Sequence, residues 1–219
     1  LQYFSQHHGR GEQWYRGNFP TLSHGQQTFE ASPLYLFDDR CPGRVRQLLP
    51  SVRLIAILRD PVERAYSHYV HNRQHGTEPM PFATAIAHEA RRIGLEPDGT
   101  MTAGRKEQRL FSYATRGVYA PQLRRWMAEF PREQIHVLRS EDLYQQSEQT
   151  YAGVLAFLGL PPQASVEFRR HNHWVDASSE LTPALREPLR EYFAEPNRDL
   201  ANLLGWTSTW QDAPPARAS

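Results

Sequence analysis

Arg53-Leu-Ile-Ala-Ile-Leu-Arg-Asp-Pro-Val-Glu-Arg-Ala-Tyr-Ser-His-Tyr69 reads as a strand running straight into a helix. Residues 53–58 are apolar after Arg53 without polar alternation, the pattern of a parallel-sheet strand covered on both faces. Asp60 offers an N-cap oxygen, and Pro61 takes the first helical position, where its missing N–H is not needed. Further along, Gln134-Ile-His-Val-Leu138 predicts a second such strand, and Ser140-Glu-Asp-Leu143 opens a helix after it. Upstream, residues 28–37 alternate around Phe29, Tyr35 and Phe37 with Pro33 as a break, which predicts a short strand followed by a turn. Between the strands lie helical patterns. Tyr119, Leu123, Trp126 and Phe130 make an apolar stripe ended by Pro131, and residues 148–158 end at Gly159. Thr182-Pro183 opens a long helical region to Leu204, closed by Gly205, in which Pro188 and Pro196 predict a kink or a division. Strands alternating with helices imply an α/β layered fold with a mostly parallel central sheet.

The 219 residues suffice for one full domain with a core of its own. With 39% hydrophobic, 22% charged and 11% aromatic residues, the composition is that of a folded chain. Lys and Arg number 25 against 24 Asp and Glu, so no broad positive field exists to hold nucleic acid or anionic lipid, and any anion must be bound locally. All the basic residues but Lys106 are arginine, a skew that matches a GC-rich, bacterial genome. Cys41 is the only cysteine, which excludes an intrachain disulfide and fits a reducing, cytoplasmic compartment. No apolar run approaches the ~20 residues of a membrane span. The tail 212–219 is too poor in apolar residues to order itself, and residues 1–211 read as one domain. Because the chain begins at Leu1 within the aromatic stretch Leu1-Gln2-Tyr3-Phe4, a preceding segment is expected.

Ligands of open α/β sheets bind at the carboxyl ends of strands, where helix N-termini offer N–H groups to anions. Arg59 stands at that end, and its guanidinium can fork onto a phosphate. Ser67, about two helical turns on, reaches the same anion if its side chain lies along the helix. The same residues also permit a plainer arrangement, with Arg59 paired to Asp60 or Glu63 and Ser67 bonding back into its helix. His7, His8, His171 and His173 have no carboxylate or cysteine at metal-ligand spacing, and no metal is expected.

The chain resembles the sulfotransferases that use 3′-phosphoadenosine 5′-phosphosulfate (PAPS), above all bacterial relatives of the heparan sulfate sulfotransferases. The blocks that carry this are Gln2-Tyr-Phe4 with Trp14-Tyr15 and Phe19-Pro20, Phe29-Glu-Ala-Ser-Pro-Leu-Tyr35 and Leu58-Arg-Asp-Pro-Val-Glu-Arg-Ala-Tyr-Ser-His-Tyr69. Gly117-Val-Tyr119 with Trp126, and Leu189-Arg-Glu-Tyr-Phe-Ala-Glu-Pro-Asn197 through Leu204-Gly205, complete the ordered set. The resemblance implies a P-loop-NTPase-like fold whose first strand and phosphate loop are missing from this stretch. It makes residues 1–211 an N-terminally incomplete sulfotransferase domain, with PAPS as co-substrate and no metal. It also assigns Arg59 and Ser67 to the 3′-phosphate of the donor.

On the acceptor side the resemblance puts Glu30 at an acidic position beside the cleft, with Ser32 and Tyr35 in the turn at its entry. His71 falls where the N-sulfotransferase branch has a histidine near the site, so Glu30 and His71 are the catalytic candidates within the chain. The family's general base aligns just before Leu1, and Lys106 is in the wrong context to be the phosphosulfate lysine. Residues 1–219 alone are therefore expected not to complete the transfer. The expected reaction is sulfuryl transfer from PAPS to a hydroxyl or amine of a glycan, glycolipid or small metabolite. A noncatalytic nucleotide-binding remnant is the alternative, and a nucleoside-triphosphate kinase is disfavoured by the lack of a Gly-x-x-x-x-Gly-Lys-[Ser/Thr] loop. Ala31 stands where several animal relatives have a lysine, and Ser5 where some have an acidic or amide residue. The family's Lys-Gly-Arg segment has no clear counterpart in Phe168-Arg-Arg-His-Asn-His-Trp-Val175, although Arg169, Arg170 or Trp174 offer charge or aromatic cover.

Overall fold

The computed structural model describes residues 1–163, 166–168 and 181–210. The chain divides into two units, residues 1–56 with 121–137, and residues 57–120 with 138–219. The helices are α1 (Gly11–Arg16), α2 (Cys41–Leu48), α3 (Pro61–Gln74), α4 (Phe82–Ala87), α5 (Glu89–Ile93), α6 (Arg105–Phe111), α7 (Tyr119–Glu129), α8 (Ser140–Gln145), α9 (Ser147–Leu158) and α10 (Pro183–Leu204). The strands β1 (Leu54–Leu58) and β2 (Ile135–Arg139) pair in parallel, giving the α/β order read from the sequence.

In the first unit, Tyr3, Phe4, Tyr15, Cys41, Val45, Trp126, Phe130 and Ile135 form the core. Tyr3 stacks on Tyr15 with ring centroids 4.7 Å apart, and Phe4 meets Tyr15 and Tyr35 edge-on. Two arginines tie the start of the chain to the segment around α2. Arg44 donates to the Phe4 carbonyl (2.7 Å), and Arg40 donates to the Ser5 carbonyl (3.0 Å) while forking onto Asp38. Cys41 is fully buried, and that burial pushes its thiol up to about 12. His7 and His8 pack against Trp14 and Tyr3 respectively.

The core of the second unit joins α3, α4 and α10 through Val62, Tyr66, Tyr69, Phe82, Tyr113, Leu189 and Phe193. Beside it, the fully buried Glu78 accepts from Arg92 (2.5 Å), from the Tyr113 hydroxyl (2.8 Å) and from the Met80 N–H (3.0 Å). The buried Glu89 carboxylate accepts from the N–H groups of Ala114 and Thr115, each at 2.7 Å, and so fixes the chain leading into α7.

Three expectations are corrected. Residues 28–32 form no strand, and residues 33–37 form a turn. Pro33 has no N–H for a ladder, Phe29 is 89% exposed, and the N–H groups of Tyr35 and Phe37 bond locally to the carbonyls of Ser32 and Leu34. Secondly, β1 is not covered on both faces. Leu58 is buried, but Ile55 and Ile57, which share the opposite face, are 38% and 55% exposed. Thirdly, of the kink or division expected at Pro188 and Pro196, the division does not occur, since α10 runs as one element of 22 residues. Leu189, Phe193, Asn197 and Leu200 are buried along one face of it, and that packing outweighs the hydrogen bonds the two prolines remove.

The remaining boundaries fall close to the sequence signals. Asp60 caps α3, accepting from the N–H groups of Val62 (2.8 Å) and Glu63 (3.4 Å). Tyr119, Leu123, Trp126 and Phe130 are all buried, and Gly159 and Gly205 end α9 and α10 in the left-handed region with φ of 68° and 69°. The expected tail 212–219 lies outside the described residues, as do Arg169, Arg170, His171, His173 and Trp174.

Candidate functional site

The chain leaves β1 at Leu58, and the next peptide is held from both sides within the second unit. The Tyr119 hydroxyl donates to the Arg59 carbonyl oxygen at 2.8 Å, and the Asp60 N–H donates to the Glu141 carboxylate at 2.9 Å. Tyr119 is the first residue of α7, and Glu141 lies at the start of α8, directly after β2. Burial pushes the Tyr119 hydroxyl up to about 12, which keeps it a donor. Burial also raises the Asp60 carboxyl above its ordinary range, and Glu63 and Glu141 add to the shift. The Arg59 side chain, in contrast, is exposed.

The plainer pairing considered for Arg59 does not form among the described residues. Asp60 caps its own helix, and Glu63 pairs with Arg186 from α10. Ser67 lies half-buried, about two turns into α3. Arg64, one turn before it, donates to the Tyr113 carbonyl. Arg116 donates to the Arg109 carbonyl at 2.7 Å. Burial lowers both arginines, and each adds like charge against His68, whose own burial pushes it down to about 2. A neutral imidazole and a cationic environment thus lie along the helix that carries Ser67. His71 is exposed further along the same helix, with its ring 4.2 Å from that of His75.

Glu30, Ser32 and Tyr35 belong to the first unit. The Tyr35 hydroxyl donates to the Glu30 carboxylate, with oxygen distances of 3.2 and 3.3 Å, and accepts from the Phe4 N–H at 3.3 Å. The Glu30 carboxylate also acts on the Tyr15 hydroxyl through its charge. Burial raises both tyrosine hydroxyls, and the nearby Glu30 charge raises them further. The Ser32 Oγ is shielded from solvent without a partner among the described residues. The structure therefore joins Glu30 to Tyr35, and it carries Arg59, Ser67 and His71 on one strand–helix unit. Tyr119 and Glu141 are site residues that the sequence does not reveal. Their bonds to Arg59 and Asp60 span many residues and leave no local pattern.

A sulfotransferase-domain family model matches residues 43–195, well over half of the chain. The chain belongs to the sulfotransferase family. This sulfotransferase chain is 25% identical to human heparan sulfate glucosamine 3-O-sulfotransferase 5 over 94% of its own length and 62% of that relative. It is 32% identical to mouse heparan sulfate glucosamine 3-O-sulfotransferase 6 over 72% of its length and 42% of the relative. With the human bifunctional heparan sulfate N-deacetylase/N-sulfotransferase 2 it shares 29% identity, over 74% of its length and 18% of that protein. It thus spans less than two thirds of each of these curated relatives. The crystal structure of a sulfotransferase from Alicyclobacillus acidocaldarius matches with a TM-score of 0.73 and 29% identity, over 90% of this chain and 72% of that one. The fold is accordingly the P-loop-NTPase-like α/β fold of sulfotransferases. No helix among the described residues is long and apolar enough to cross a membrane.

Proposed function

We propose that this chain binds PAPS and takes part in moving its sulfuryl group to a hydroxyl or amine of a glycan, glycolipid or small metabolite, with residues 1–211 acting as one sulfotransferase domain. The reading rests above all on Arg59. Its backbone is held on both sides at a strand end, while its side chain reaches solvent beside the helix that presents Ser67. A guanidinium so placed matches the fork geometry of a phosphate, and the Ser67 hydroxyl adds a donor to the same group, the 3′-phosphate of the nucleotide. The relatives named above, all acting on heparan sulfate by name, support a glycan as acceptor.

In the transfer, the acceptor oxygen or nitrogen bonds to sulfur as the bond from sulfur to the 5′-phosphate oxygen breaks. Adenosine 3′,5′-bisphosphate leaves, and the acceptor proton passes to a base. Glu30 and His71 are the candidate proton carriers within this chain. Glu30, oriented by Tyr35, lines the acceptor entry together with Ser32 and Tyr35.

The test is calorimetric titration of full-length protein with adenosine 3′,5′-bisphosphate and with adenosine 5′-monophosphate. Arg59→Ala should weaken the bisphosphate by ~1.5–3 kcal/mol, the range for a hydrogen bond to a charged group, and leave the monophosphate nearly unchanged. Ser67→Ala should act in the same direction, and the double variant should lose less than the sum because both side chains serve one phosphate. Equal losses for the two nucleotides would place Arg59 elsewhere.

A further inference from the structure

Arg59 is the last residue before the α3 cap, and the peptide that follows it is gripped by two residues distant in sequence. Neither grip is a routine backbone bond. Tyr119 is 4% exposed and spends its hydroxyl on a carbonyl that lies just past the end of the β1–β2 ladder and needs a partner there. Glu141 gives one carboxylate oxygen to the Asp60 N–H, while its Oε2 is buried without a partner among the described residues. A carboxylate held in that way, with Asp60 close by, is an electrostatic cost that packing alone would not select. The two bonds act on opposite edges of one peptide plane, and together with β1, which holds the chain up to Leu58, they restrict the direction in which the Arg59 Cα–Cβ bond leaves the chain. A long side chain on an anchored Cα reaches a phosphate with fewer rotamers to freeze than one on a mobile turn.

We infer that Tyr119 and Glu141 are positioning residues for Arg59, orienting its guanidinium toward the 3′-phosphate of the nucleotide. This inference rests on the reading of Arg59 given above. Neither residue touches the ligand. Tyr119 acts through the Arg59 carbonyl and Glu141 through the Asp60 N–H.

Four variants of the full-length protein test it: Tyr119→Phe, which removes only the hydroxyl, Glu141→Leu, which removes the acceptor, Glu141→Gln, which keeps an acceptor oxygen, and Arg59→Ala as reference. Dissociation constants for adenosine 3′,5′-bisphosphate and adenosine 5′-monophosphate are measured beside the melting temperature of each. Tyr119→Phe and Glu141→Leu should raise the bisphosphate constant about 3- to 10-fold, the worth of one ordinary hydrogen bond, with the monophosphate constant changed less than about twofold. Glu141→Gln should restore wild-type discrimination. Should Glu141→Leu fail to fold, Glu141→Ala takes its place with the same expected result. If Arg59→Ala is selective for the bisphosphate but Tyr119→Phe shifts both nucleotides equally, or shifts only the melting temperature, the positioning role is wrong and Arg59 stands. If Arg59→Ala is not selective, both readings fall together.

Discussion

Gly117 lies so close to Phe193 that a Cβ added to it would stand 2.9 Å from the ring carbon Cζ, and equally close to the Cβ of Pro61. Both neighbours are core-facing, one on α10 and one at the first position of α3, so neither can yield as a flexible surface side chain does. Gly117→Ala should therefore cost ~1–3 kcal/mol of stability, the range for overpacking a filled core. Because Pro61 follows the Arg59–Asp60 peptide, the same variant should also weaken adenosine 3′,5′-bisphosphate. Urea unfolding with parallel calorimetry checks this, and a variant as stable as wild type would show that the packing has more slack than the geometry allows.

His68 gives the protein a pH dependence of known sign. Burial, with Arg116 and Arg64 adding like charge, pushes it down to about 2, whereas in the unfolded chain it titrates near 6.5. Below that pH the unfolded state takes up a proton that the folded state refuses. The contribution is therefore fully present above about 6.5 and is lost as pH falls. Between pH 7.5 and 5.5 this residue alone should remove on the order of 1 kcal/mol of unfolding free energy. His68→Asn should show a pH slope shallower by that amount in urea titrations at the two pH values. An unchanged slope would mean that His68 is protonated in the folded state.

The arginines around α2 bear on the acceptor. Arg40 is forked onto Asp38, while Arg44 and Arg46 donate to the carbonyls of Phe4 and Pro50. The charge of Arg40 is thus already paired, and Ala31 adds no cation next to Glu30. An acceptor of low charge is expected, and its affinity should vary little between low and moderate salt. A polyanion would instead show a steep loss over the same range, as contacts are screened across a Debye length of ~10 Å at 0.1 M. Competition between neutral glycans and heparan-type chains at two salt concentrations decides between them.

What was legible in the sequence was local. Asp60-Pro61 announced α3 because cap and proline act within one turn, and Gly159 and Gly205 marked helix ends because a left-handed residue is a backbone requirement. Pro33 marked the turn at residues 33–37, but residues 28–32 misled because alternation says nothing about whether a partner strand is at hand, and Phe29 is exposed. Pro188 and Pro196 leave α10 undivided for the converse reason, since the contacts that hold it together come from residues far away in the chain. The site divides in the same way. Arg59 and Ser67 are one strand–helix pattern and could be read together, whereas Tyr119 looked like part of a packing stripe. Its hydroxyl meets a carbonyl 60 residues upstream, a pairing that no window of sequence displays.

The sole cysteine, shut inside the first unit, turns the protein into its own reporter. A thiol reagent attacks the thiolate, and Cys41 is both inaccessible and held far from ionising while that unit is closed. Labelling can then proceed only through openings that expose α2, and its rate in rising denaturant measures how often residues 1–56 and 121–137 breathe. Ellipticity follows every helix of the chain at once, so comparing the two signals would tell whether the molecule melts in one step or in two, without a single engineered label.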